Sequence, residues 1–132
     1  MQFTSLLLFV SGAVALGINC RGSGFCSIND AVLQHLRDRV GVLIADGGRD
    51  RHFNSGQQIA CNHGSQGSIC AFYQNGASGT AGNVYSQLQT LLDHGCMQCG
   101  SVPTQPGNDV SKGELTVNWV GNPCCEGDCY CR

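Results

Sequence analysis

Ten cysteines in a chain of 132 residues constrain the fold more than any other feature. The first is Cys20 and the last Cys131, and an even count lets every thiol find a partner in five bridges. About 945 connectivities are open to ten cysteines, so the count specifies a framework and leaves its wiring undetermined. Whether the thiols pair at all depends on the compartment, because disulfides persist outside the cytosol and are rare within it.

Residues 1–15 answer that question. Leu6, Leu7, Leu8, Phe9 and Val10 form an apolar run, and Ala13-Val14-Ala15 follows with small residues where a signal peptidase requires them. Neither Lys nor Arg precedes the run, which leaves the amino terminus as its positive charge. The run is too short to span a bilayer, and no other segment approaches the necessary length. A signal peptide over 1–15 is therefore predicted, with Leu16 as the mature N-terminus and a soluble, secreted, extracellular product. Residues 16–132 are expected to form one domain with a cysteine-rich tail over 121–132, without internal repeats.

Charge narrows the function. Only 12% of residues are charged and the net charge is −2. Binding to nucleic acid needs clustered Lys and Arg against phosphates, so nucleic acid is not an expected partner. An electrostatically steered cationic toxin is disfavoured for the same reason. No Asn-x-Ser/Thr acceptor occurs, and N-glycosylation is not expected.

Two amphipathic helices are predicted. Ser27-Ile28-Asn29-Asp30 resembles a capping box, and Ile28, Val32, Leu36 and Val40 recur at helical spacing as far as Gly41. The second helix starts near Thr80, carries Val84, Leu88, Leu91 and Leu92, and stops at Asp93-His94-Gly95. Gln57 to Cys61 and Ser68 to Gln74 flank the turn-rich Asn62-His63-Gly64-Ser65 and predict a hairpin. Gly17 to Cys20 offers a short opening strand. Glu114 to Val120 offers a closing one, with Leu115, Val117 and Trp119 on one face. Residues 46–56 and 100–108 read as exposed glycine-rich loops. The order β, α, β, β, α, β favours an α+β two-layer sandwich, an antiparallel sheet with both helices on one face, braced by disulfides.

Cys96-Met97-Gln98-Cys99 has the spacing of a redox motif, and together with the tail cysteines it has the residue types of a zinc site. The oxidising compartment favours structural disulfides instead, so neither metal nor cofactor is expected.

Three blocks carry a family resemblance: Leu16 to Ser23, His94 to Ser101, and Gly107 to Val120. Together they resemble the fungal killer protein four family, in the family's order and with gaps from Leu16 to Cys124. In the third block, Asn108, Asp109 and Ser111 can bond nearby backbone N–H groups, and Gly113 can take positive φ where the chain enters the strand. The resemblance implies bridges Cys20–Cys96, Cys26–Cys99 and Cys61–Cys124. Two further family bridges have no counterparts here. Cys70, Cys125, Cys129 and Cys131 stand apart from the family pattern, and their pairing stays open. A bond between the adjacent Cys124 and Cys125 would strain the intervening peptide.

The resemblance also implies a growth-inhibiting toxin without catalytic activity, acting on a membrane channel of the target cell by blocking voltage-gated calcium channels, with external calcium opposing the effect. A monomer is expected, without a small-molecule substrate. Family activity is attributed to a basic residue just before the cysteine that corresponds to Cys61. That approach reads Gln57-Gln58-Ile59-Ala60 here, and the lysine is missing. Lys112 matches a basic family position and becomes the first candidate contact. Arg49, Arg51 and His52 are candidates in the preceding loop, where Asp46 and Asp50 offset their charge.

Two rivals remain from other readings. A plant-facing effector could use the same scaffold. A small secreted ribonuclease needs a general acid and base near a cation, and His35, His52, His63, His94 and Glu114 supply the types. No motif gives them a mutual geometry, and each has a local explanation, such as His94 at a helix C-terminus.

Overall fold

The computed structural model describes residues 16–132, so the predicted signal segment lies outside the described residues. Among the described residues three α-helices and seven strands follow one another: α1 (Gly24–Ser27), α2 (Leu33–Leu43), β1 (His52–Phe53), β2 (Gln58–Gly64), β3 (Gly67–Gln74), β4 (Gly79–Thr80), α3 (Ala81–Asp93), β5 (Gly100–Pro103), β6 (Glu114–Val120) and β7 (Cys129–Tyr130). Five strands form an antiparallel sheet in the order β5-β6-β3-β2-β7, while β1 and β4 pair separately. With α2 and α3 packed on each other and on the sheet, this is the α+β two-layer arrangement expected. No helix among the described residues is long and apolar enough to cross a membrane.

Alternation along the strands explains the layering. Ile69, Ala71 and Tyr73 of β3 and Leu115 and Val117 of β6 point to one face and are fully buried. They meet Leu33, Leu36 and Val40 of α2 and Val84, Leu88 and Leu91 of α3 in the main core. Burying each such side chain is worth about 1.5–3 kcal/mol, which makes this face the chief source of stability. Tyr73 carries its hydroxyl into the core, where it donates to Gln87 Oε1 at 2.6 Å. Burial pushes its pKa up to about 12.

The opposite face is built differently. Cys61 and Cys70 sit directly opposite each other in the β2–β3 register and form, with Cys131, a small buried cluster under the tail. Further along, Thr116 Oγ1 lies 3.0 Å from Ser101 Oγ and 3.0 Å from Glu114 Oε1. Asn75 Nδ2 donates to Glu114 Oε2 at 2.6 Å, so the buried Ser101, Glu114 and Thr116 find polar partners.

Several elements depart from expectation. Helix α2 starts at Leu33, with Val32 as an N-cap lacking a side-chain hydrogen bond, and its buried stripe is Leu33, Leu36, Val40 and Leu43. Ile28 is 61% exposed. The reason is that Asn29 and Asp30 do not cap a helix but clamp the β2–β3 turn. Asn29 Nδ2 donates to the Gly67 carbonyl at 3.1 Å, and Asp30 Oδ1 accepts from the Ser65 N–H at 2.6 Å. Gly17 to Cys20 makes one bridge, Asn19 with Ser101, in place of a strand. Residues 100–103 are strand β5 and mostly buried, where a loop was expected, because β6 supplies a full antiparallel partner. Part of 46–56 is likewise ordered as β1 against β4. Helix α3 starts where expected, after a reciprocal capping box between Thr80 and Asn83.

Candidate functional site

The Gly107–Val120 block joins two parts of the chain. Asn108, at φ 51°, does not bond a nearby amide; its Oδ1 accepts from the Ile18 N–H at 3.0 Å. Val110 N–H donates to the Leu16 carbonyl at 2.9 Å, so the turn fastens the start of the described chain. Asp109 caps the following 3-10 turn, Val110–Lys112, by accepting from the Ser111 N–H at 3.0 Å and the Ser111 hydroxyl at 2.6 Å. Those two bonds, with help from the Lys112 charge, hold the Asp109 carboxyl below its ordinary value of 3.8. Gly113 then enters β6 at φ 130°, and a Cβ there would come within 2.6 Å of Thr104 Oγ1. Lys112 stands exposed on this anchored turn.

The other candidates are elsewhere and differently engaged. Arg49 and Arg51 pin the loop to the start of α3, their carbonyls accepting from Gly82 and Ala81 at 3.0 and 2.9 Å. The Arg51 guanidinium lies 4.7 Å from the Phe53 ring centroid and donates to the Cys131 carbonyl at 2.6 Å. It is thus committed to the tail. His52 is exposed on β1, opposite Thr80. The 75–80 loop stands between the two sets: Asn75 Nδ2 donates to the Val110 carbonyl at 3.0 Å, and Ser55 Oγ donates to the Ala77 carbonyl at 2.5 Å.

The disulfides are Cys20–Cys96, Cys26–Cys99, Cys61–Cys70, Cys124–Cys131 and Cys125–Cys129. The first two coincide with pairs the resemblance implies. The implied Cys61–Cys124 bridge is not formed. Cys70 faces Cys61 across the ladder with the two Cα atoms 4.1 Å apart, and Cys124 closes the tail on Cys131. Cys124 and Cys125 do not bond each other.

Folding brings together residues that sequence reasoning left separate. Strand β7 pairs with Ala60 and Cys61 of β2, covering the strand that leads to Cys61. Arg39 reaches Asp128 at 3.3 Å, and the Tyr130 hydroxyl donates to Asp46 Oδ2 at 2.9 Å. Arg39, Asp128, Tyr130 and Arg132 line a depression of about 540 Å³ beside the tail cysteines. The one usable sequence signal was the density of cysteines after Pro123, which does not reveal where the tail lies.

The four histidines lie on different elements, His35 on α2, His52 on β1, His63 on β2 and His94 at the end of α3. His35 Nδ1 lies 3.5 Å from Asn62 Nδ2 and His63 Nδ1 3.3 Å from Ser68 Oγ. His52 lies on β1 and His94 caps the C-terminus of α3.

Residues 3–121 match the Kp4 family, leaving most of the tail outside the matched part. The KP4 killer toxin of Ustilago maydis P4 virus is 41% identical over 114 residues, covering 83% of this chain and 84% of the toxin. The extent of the family match and the identity over most of the chain show that the chain belongs to the Kp4 family of killer toxins.

Proposed function

We propose that the chain is a secreted killer-toxin-like protein that inhibits growth of competing cells by binding a calcium channel at the target surface, without catalysis. The observation that carries this reading is the 41% identity to a killer toxin along most of the chain, with Lys112 exposed on the shared turn. A disulfide-braced sandwich supports it physically, because a preorganised loop loses little conformational freedom on binding. Five bridges also suit an oxidising, extracellular setting. The separate surroundings of the four histidines favour binding over hydrolysis.

The family lysine before Cys61 is replaced by Gln58-Ile59-Ala60, and that strand is covered by β7. Contact through the Lys112 turn is therefore the form this reading takes. Growth of fungal hyphae and plant root cells with oxidised protein 16–132, with and without added calcium, tests it. Inhibition relieved by calcium, and absent with reduced and alkylated protein, is the expected result. Inhibition indifferent to calcium would exclude channel block, and inhibition confined to plant cells would favour the effector reading.

A further inference from the structure

The tail contains a feature that the growth-inhibition reading does not use. The sulfur atoms of Cys61, Cys124, Cys125 and Cys131 all lie within 4.8 Å of one another, although they belong to three different bridges. Cys61 Sγ is 3.7 Å from Cys124 Sγ, and Cys124 Sγ is 3.4 Å from Cys125 Sγ. Cys124 is exposed, whereas Cys61, Cys70 and Cys131 are buried. In this wiring both tail bridges close within the tail, and no disulfide joins it to the sheet. Backbone pairing with β2, the Arg51–Cys131, Gln58–tail, Asn62–Asp128 and Tyr130–Asp46 hydrogen bonds and the Arg39–Asp128 ion pair hold it there.

We propose that this cluster is a thiol–disulfide exchange site at which a low-molecular-weight thiol converts the tail from a non-covalent strap into one covalently tethered to the sheet. Exchange requires a thiolate with access to one sulfur and a second disulfide within reach of the sulfur released. Cys124 supplies the access. The thiolate of the small thiol attacks Cys124 Sγ, forming a mixed disulfide, and the Cys124–Cys131 bond breaks with its electron pair passing to Cys131 Sγ. The Cys131 thiolate attacks Cys61 Sγ, forming Cys61–Cys131 and releasing Cys70 as thiolate. Cys70 then attacks the mixed disulfide at Cys124, which stands beside the original Cys61–Cys70 bond, and expels the small thiol. Two disulfides are consumed and two are formed, so there is no net oxidation or reduction.

The consequence is local. A tethered tail keeps β7 on the edge of β2, while the untethered form can lift and expose the strand before Cys61 together with Arg51. The two long-range bridges stand outside the cluster: Cys20–Cys96 and Cys26–Cys99 link the α1 segment to the exit of α3.

Tryptic cleavage reads the wiring directly, since cutting after Arg51 and Lys112 separates peptide 52–112, which holds Cys61 and Cys70 and stays bridged through Cys96 and Cys99 to the peptides of Cys20 and Cys26, from peptide 113–132, which holds all four tail cysteines. The oxidised protein is incubated with reduced glutathione, quenched with acid, alkylated, digested without reductant and weighed by mass spectrometry. Before thiol the 113–132 peptide is expected free. After thiol it should be joined to 52–112 within a monomeric protein, with the joining rate rising about tenfold per pH unit below the thiol pKa. The proposal is overturned if peptide 113–132 stays free, if it is joined at the outset and thiol changes nothing, or if joining occurs only between molecules.

Discussion

The two ends of the disulfide framework work in opposite ways. Cys20–Cys96 and Cys26–Cys99 connect segments 76 and 73 residues apart, and they sit beside the main core. The three bridges around the tail span separations of only 9, 7 and 4 residues and form a separate cluster. A crosslink stabilises chiefly by removing freedom from the unfolded chain, and the gain grows with the loop it closes. By that arithmetic the longest bridge is worth about 4.5 kcal/mol and the shortest about 2 kcal/mol. Cysteine number is therefore a poor guide to stability. The N-terminal pair fixes the fold, whereas the tail bridges shape a local strap.

The largest effect should follow from breaking the first region. Replacing Cys20, Cys96, Cys26 and Cys99 together by Ser is expected to lower stability by about 7 kcal/mol, seen as a large fall in thermal midpoint or as failed secretion. An unchanged midpoint would remove the staple from the account. Removing either pair alone, Cys20 with Cys96 or Cys26 with Cys99, should cost about 2.5 kcal/mol, because with the other bridge in place the loop set free is only about ten residues. Denaturant titration of the quadruple and both double variants distinguishes these values, and clearly unequal losses in the two double variants would contradict the nesting.

Loss of Cys125 and Cys129 should be milder still, at most about 2 kcal/mol, and confined to the tail. Hydrogen exchange should then rise in β7 and at the edge of β2 while α2, α3 and β6 stay protected. Faster exchange throughout the main core would mean that the tail is integral to the fold.

Acid should act mainly on the two anchored turns. Hydrogen bonds from Ser65 hold the Asp30 carboxyl below its ordinary value of 3.8, and those from Ser111 do the same for Asp109. A carboxylate with a depressed folded pKa adds stability that is present above its unfolded value and is lost as pH falls through the folded value. Unfolding midpoints should thus decline between about pH 5 and pH 2, and Asp30→Asn with Asp109→Asn should flatten the profile. A double variant with the wild-type slope would show that other carboxyls govern acid sensitivity.

Much of the first region was legible in sequence because it depends on local signals. Thr80 with Asn83 caps α3, Val84, Leu88 and Leu91 recur at helical spacing, and Leu115 and Val117 alternate along β6. The beginning of α2 was misread because Asn29 and Asp30 have the residue types of a cap but are used by a distant turn. Strand β5 was hidden by Gly100 and Pro103, whose pairing depends on β6 rather than on their own propensity. The tail defeated sequence reasoning for a combinatorial reason, since spacing does not select among the pairings of Cys61, Cys70, Cys124, Cys125, Cys129 and Cys131. Its placement also decides the candidates: Arg51 is taken up by Cys131, while Lys112 remains exposed on the opposing turn.

That contrast leads to the decisive measurement, the dose–response of growth inhibition by Lys112→Glu beside the wild-type protein, with thermal midpoints recorded for both. Lys112 is exposed, so the midpoint should not move, and potency should fall by about tenfold or more, equivalent to roughly 1.4 kcal/mol of target binding. Wild-type potency in a correctly folded Lys112→Glu variant would contradict the account and return the search for the inhibitory surface to the tail.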